Sequence, residues 1–231
     1  MKRPKFANNN LYHVYNRGVE KRKIFLDKGD HFRMVHNLFE FNDIALAENI
    51  YYKSYELRSH NFKEDNRERK PLVKIHAFCL MPNHFHLLLE QIEDNGVSEF
   101  MKKIGIGYAM YFNLKNERSG TLFQGRFKAV HVKDDSHLIH LPYYIHLNPL
   151  DMIEPNWRNK EIQNHKKTVE FLNSYRWSSY LDYAGKKNFP LVIETNFLEE
   201  IIGKGSEYEK KVFDWLKERG ASSLEKSALL E

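Results

Sequence analysis

Two apolar runs on either side of a three-residue interruption constrain this chain more than any other feature. Residues 73–80 and 84–90 have strand-like composition, and Met81-Pro82-Asn83 lies between them. Proline fixes φ and asparagine tolerates turn geometry, so the interruption reads as a turn. The pattern predicts an antiparallel hairpin. Its second arm is His84-Phe85-His86-Leu87-Leu88-Leu89-Glu90. Side chains at i and i+2 of a strand share a face. His84 and His86 can therefore reach one metal ion while Phe85 points into a core on the other face. Short histidine spacings also arise by chance in a chain with 12 histidines. Two imidazoles on one face of an apolar strand are costly without partners, however, and that favours the ligand reading.

The rest of the chain supplies further strands and helices. Residues 11–17 are strand-like and stop at Gly18, a turn signal. Asp30 can cap a helix to about residue 47, with Phe32, Val35, Leu38 and Phe39 at helical spacing. Residues 54–70 are dense in charge and read as a solvated loop or an insertion. Ser98 starts a helix to about residue 116, residues 127–132 form a strand, and Ser136 caps a helix to about Leu147. From residue 164 the chain reads as helical and includes the aromatic cluster 175–180. Strands and helices mix without βαβ spacing, which predicts an α+β domain with helices packed on an antiparallel sheet.

Composition narrows the class. No run approaches the ~18 apolar residues of a membrane span, and the basic N-terminus lacks the apolar core of a signal peptide. The expectation is a cytoplasmic protein with no membrane partner. The single cysteine, Cys79, excludes an intramolecular disulfide and sits in an apolar run as a buried hydrophobe. Thirty-six lysines and arginines against 31 acids give a formal charge of +5, compatible with a polyanionic partner. The 13 tyrosines and 16 phenylalanines suit base stacking, although core packing accounts for most such rings.

A second constellation is Tyr143-Tyr144-Ile145-His146-Leu147-Asn148-Pro149. On a helix, Tyr144 and Asn148 stand one turn apart on one face. A phenol can attack phosphorus, and an amide oxygen can complete the shell of a hard cation beside the histidines. Tyr143 is a rival by chemistry but projects about 100° away. Pro142 either starts a new helical segment or kinks a longer one, and Pro149 ends it.

These residues are shared with a known family. The chain resembles the REP-associated tyrosine transposases, a branch of the single-tyrosine HUH transposases. The matching segments are Tyr12-His13-Val14-Tyr15-Asn16-Arg17-Gly18, the run from Met81 to Leu89, the run from Gly120 to Lys128, Tyr144-Ile145-His146-Leu147-Asn148-Pro149, and Trp177-Ser178-Ser179-Tyr180 with Tyr183-Ala184-Gly185. Together, and in order, they are far more specific than any one of them.

The resemblance implies a ferredoxin-like domain over residues 1–185, with 186–231 as a helical C-terminal extension. It implies Tyr144 as nucleophile, His84, His86 and Asn148 as metal ligands, and Mg²⁺ or Mn²⁺ as the ion. The implied substrate is a single-stranded DNA hairpin with a short guide sequence beside its foot, cut to a 5′-phosphotyrosine and a free 3′-hydroxyl. Asn16, Arg17, Gln124, Arg126 and Lys128 are candidate DNA contacts at strand edges, since arginine holds phosphate or guanine. The chain departs from the family at Tyr143, where a basic residue is usual, and at Leu150-Asp151-Met152, which replaces Val-Arg-Ala. A monomer and a homodimer with exchanged helices are both compatible with the sequence. Three other readings are a domesticated hairpin binder without turnover, a replication-initiator or relaxase-like nickase, and a structural metal protein. The last is disfavoured because structural zinc sites usually employ cysteine.

Overall fold

A computed structural model of the chain describes residues 3–45, 69–159 and 162–218. Its centre is a four-stranded antiparallel sheet of β1 (Leu11–Arg17), β2 (Val73–Met81), β3 (His84–Gln91) and β4 (Lys128–His131), in the order β2-β3-β1-β4. Between β1 and β2 lies α1 (Lys28–Glu40), and between β3 and β4 lies α2 (Gly96–Lys115). This order of elements and strands is the ferredoxin-like topology. After the sheet come α3 (Asp135–Leu147), α4 (His165–Ser174), the single turn α5 (Tyr180–Tyr183), α6 (Asn196–Ile202) and α7 (Ser206–Glu218). The α+β class expected from the pattern is therefore the class found. Of the charged segment 54–70, residues 54–68 lie outside the described residues.

The hairpin of β2 and β3 forms with Met81 paired to His84, so Pro82 and Asn83 alone make the turn. A β-bulge between Ile75 and Ala77 breaks the alternation of β2. Val73 and Ile75 before it, and Phe78 and Leu80 after it, join the core with Phe85, Leu87 and Leu89. Ala77, Cys79 and Met81 line the opposite face with Leu88. The inserted residue thus switches which parity of β2 faces the first core, from odd positions before it to even positions after it.

Helices α1 and α2 cover the first face. The cap of α1 is Asp27, whose side chain accepts from the Asp30 amide at 3.0 Å, while Asp30 bonds back to the Asp27 amide. The sequence placed the cap at Asp30, which is instead the return partner of a capping box. The helix ends at Glu40, short of residue 47. In α2 the start is Gly96 rather than Ser98. Gly107 lets α2 approach the end of α1, because a Cβ there would stand 2.5 Å from the Phe41 ring.

Helix α3 covers the second face. Its cap is Asp134, accepting from the His137 amide at 2.7 Å, not Ser136. Pro142 lies inside one continuous helix, so it does not start a new segment. The far side of α3 is covered in turn by α7: Tyr143 stacks on Tyr208 at 5.8 Å, and Trp215 donates to His140 Nδ1 at 3.1 Å. The aromatic segment 177–179 runs along β2, with bonds from the Leu80 amide to the Trp177 carbonyl at 2.8 Å and from the Ser179 amide to the Phe78 carbonyl at 3.0 Å. Cys79 is buried beneath it, and burial pushes its thiol well above the usual range.

Candidate active site

The second sheet face carries a run of polar side chains that the first lacks. Register places Tyr15 opposite His86 and Arg17 opposite His84, so four side chains from two strands share this face. His86 and Tyr15 are buried, and His84 is 8% exposed. Tyr144 on α3 stands edge-on to His86, with ring centroids 5.5 Å apart. Asn148 caps the same helix one turn later, and its Nδ2 donates to the Tyr144 carbonyl at 2.8 Å. Tyr144 thus stands against the His84–His86 face, and Asn148 follows it one turn later on the same helix.

The histidines are held neutral by their surroundings. Burial, then the charges of Arg17 and Arg158, lower the His84 pKa to about 3. Burial drives His86 well below its ordinary value, with His84, His13 and the two arginines adding to the shift. Both imidazoles are uncharged at pH 7, the form that donates to a metal. His84 Nδ1–H donates to Asn83 Oδ1 at 2.6 Å, which leaves Nε2 with its lone pair. His86 Nδ1 meets His13 Nε2 at 2.8 Å. With the proton on His86 Nδ1, its Nε2 also presents a lone pair, and that Nε2 is buried with no hydrogen-bond partner. In that tautomer His86 Nε2 is a buried acceptor free to take a ligand, and the two rings fit a divalent cation. Among the described residues, no group of three or more His, Cys, Asp or Glu forms a metal cage. Asn148 Oδ1, one turn after Tyr144, is the amide oxygen on the facing helix.

That oxygen is engaged. Arg158, from the short turn Trp157–Asn159, donates to Asn148 Oδ1 at 3.1 Å and forms an ion pair with Asp151. Its guanidinium carbon lies 5.7 Å from the Tyr144 ring centroid. Burial alone would lower the Arg158 pKa, but the bond and charge of Asp151 and the neighbouring Tyr144 phenol raise it.

The structure separates the two adjacent tyrosines. Tyr143 faces α7, and burial together with Glu207 pushes its phenol up to about 12. The phenol that does accompany Tyr144 is Tyr15, whose pKa is raised by burial and then by Tyr144. His13, Tyr15 and Arg158 were not singled out as site residues by sequence reasoning. The first two share a strand with Arg17, but which β1 side chains meet β3 depends on a register that no local pattern reveals.

The five candidate DNA contacts fall into separate places. Arg17 belongs to the histidine face, and its Nε is buried without a partner. Lys128 pairs in register with Tyr15 on the same face, exposed at the sheet edge. Asn16 and Arg126 instead line a groove of about 790 Å³ beside α2, where Ile106 and Met110 are exposed. Gln124 is exposed in the loop before β4, and its amide donates to the Arg17 carbonyl at 2.8 Å.

The fold and these side chains define a ferredoxin-like domain whose central strand presents a His-x-His pair to a tyrosine-bearing helix. Residues 48–148 match the family model described as "Transposase IS200 like". The segment contains both histidines, Tyr144 and Asn148, but not His13, Arg17 or Arg158. No curated protein matches the chain. Among solved structures, one described as "Structure of the REP associates tyrosine transposase bound to a REP hairpin" is similar at 12% identity, with a TM-score of 0.46, over 85% of this chain and 94% of that one. No helix among the described residues is long and apolar enough to cross a membrane.

Proposed function

We propose that this protein nicks and rejoins single-stranded DNA through a covalent bond to Tyr144. The observation that carries the reading is the convergence of His84, His86, Tyr144 and Asn148 between one sheet face and one helix. The Tyr144 oxygen attacks phosphorus and forms an O–P bond, the bond to the 3′-oxygen breaks, and that oxygen leaves as a free 3′-hydroxyl. The phenol gives up its proton as the O–P bond forms, the departing 3′-oxygen takes up one proton, and the product is a 5′-phosphotyrosine. Rejoining is the reverse, with a 3′-hydroxyl as nucleophile, so one difficult exchange becomes two feasible ones. His84, His86 and Asn148 would hold a Mg²⁺ or Mn²⁺, which would neutralise charge on the scissile phosphate. Arg17, with its unpartnered Nε on the same face, is placed to hold a phosphate oxygen. Asn83 and His13 keep the two imidazoles in register.

The substrate we assign is single-stranded DNA bearing a hairpin with a short guide sequence beside its foot. The match of residues 48–148 to the IS200-like transposase model supports a transposase-type DNA partner. Lys128 and Arg17 on the histidine face, and Arg126 and Asn16 at the α2 groove, would then hold separate parts of one strand.

The test is a denaturing-gel assay of labelled hairpin-bearing strands, with Mg²⁺ or Mn²⁺ against chelator. A protein–DNA adduct that needs both the metal and Tyr144 is the expected result. Binding without adduct across a broad library of hairpins would replace the enzyme reading with that of a domesticated binder.

A further inference from the structure

Arg158 lies outside the segment that matches the family, yet it contacts two of the four residues of the candidate centre. Its Nη2 donates to Asn148 Oδ1 at 3.1 Å. The Asn148 amide nitrogen is already used on the Tyr144 carbonyl, so this oxygen is the side chain's only acceptor. The guanidinium also lies over the Tyr144 ring and within hydrogen-bond reach of its phenol. Its place is fixed from behind: Asp151 accepts from Arg158 and from Trp157 Nε1, the latter at 2.6 Å, and Trp157 is fully buried. The centre is therefore closed. Tyr144 and Asn148 are each 1% exposed, with an anchored cation on both.

Two positive groups cannot share one oxygen at short range without strong repulsion. We propose that Arg158 occupies the cation's place in the free protein, so that Arg158 and a divalent metal compete for Asn148 Oδ1. The inference rests on the reading of His84 and His86 as metal ligands. On this arrangement a metal bound by the two histidines alone is held weakly. Asn148 joins it only when Arg158 turns away, and the displaced guanidinium, beside Tyr144, is free to take a phosphate oxygen of the arriving strand. Full metal binding and opening of the nucleophile then become one event.

The competition is read by Mn²⁺ affinity of the full chain, using calorimetry or the free-Mn²⁺ electron paramagnetic signal, with no DNA present. Arg158→Gln should bind Mn²⁺ about tenfold more tightly than wild type. The gain should vanish when Arg158→Gln is combined with Asn148→Ala, because the oxygen being contested is gone. A gain that persists in the Asn148→Ala background would mean that Arg158, or the Asp151 carboxylate it frees, acts by charge alone, and would overturn the shared oxygen. Equal affinity in wild type and Arg158→Gln, with binding that is lost in His86→Ala, would overturn the competition and leave the metal reading standing. No Mn²⁺ binding by any of these proteins would overturn both. Arg158→Met keeps the stem over Tyr144 and Trp157, and is the second variant should Arg158→Gln fail to fold.

Discussion

The two faces of one sheet follow opposite rules. Under α1 and α2, the side chains of β1, β2 and β3 are Tyr12, Val14, Ile75, Phe78, Leu80, Phe85, Leu87 and Leu89, a continuous apolar core. Under α3, the same three strands present His13, Tyr15, Arg17, His84 and His86 beside Ala77, Cys79 and Met81. The first face gains roughly 1.5–3 kcal/mol for each large side chain it buries. The second buries polar groups, with an unpartnered nitrogen on both His86 and Arg17, and so forgoes part of that gain. A protein sustains such a face where chemistry requires it, and the apolar face supplies the rigidity that holds it in register.

This contrast can be broken or sharpened by experiment. The largest effect is expected on the polar face: Tyr144→Phe should lower covalent adduct formation by more than about 10³-fold while leaving the thermal midpoint and hairpin binding near wild type. Adducts that survive would redirect the search to Tyr15, the other phenol on that face, and not to Tyr143. On the apolar face the dissociation reverses. Phe85→Ala should cost about 3–5 kcal/mol of folding stability by chemical denaturation, yet leave the histidine pair on the other side of its own strand able to bind Mn²⁺ under native conditions.

A smaller effect concerns acid. His84 and His146 are both lowered to about 3, in each case chiefly by burial. Below their ordinary value of about 6.5, the unfolded chain takes up protons that the folded chain refuses. Stability should therefore be complete above that value and fall toward pH 3 by about 1.4 kcal/mol per pH unit for each histidine. His146→Gln should remove one such increment from the slope, and an unchanged slope would show that His146 is not held neutral. The smallest effect belongs to the rim: Lys128→Ala should reduce the salt slope of DNA binding by about one, uniformly across sequences. A loss confined to one hairpin would instead make Lys128 a sequence reader.

Much of this was legible in the sequence because it is local. The hairpin, the alternation that sets Phe85 against His84 and His86, and the one-turn spacing of Tyr144 and Asn148 all follow from periodicity. Helix starts were missed by two or three residues where several capping side chains compete. Asp27 and Asp134 do the capping because they alone sit at the extended residue before the first turn. The bulge at His76 could not be read from composition, since both parities of β2 are apolar. Arg158 could not be read at all, because its bond to Asn148 depends on a turn, and on an anchor at Asp151, that only the folded chain defines. The motif departure at Asp151 acquires a reason there, since its carboxylate anchors the guanidinium that approaches the centre.

The packing of α3 sets the mechanics of the proposed reaction. That helix is gripped on one side by the sheet and on the other by Tyr208 and Trp215, with His146 bonded to Tyr208 at 2.5 Å and to Ser179 at 2.7 Å. Tyr144 is thus an anvil and not a lever. A strand end joined to it would stay at one point of the molecule, clamped by its own chain, and the freed 3′ end and any incoming strand would have to travel to that point. Strand exchange would then be choreographed by movement of the DNA, with the protein as the stationary bench.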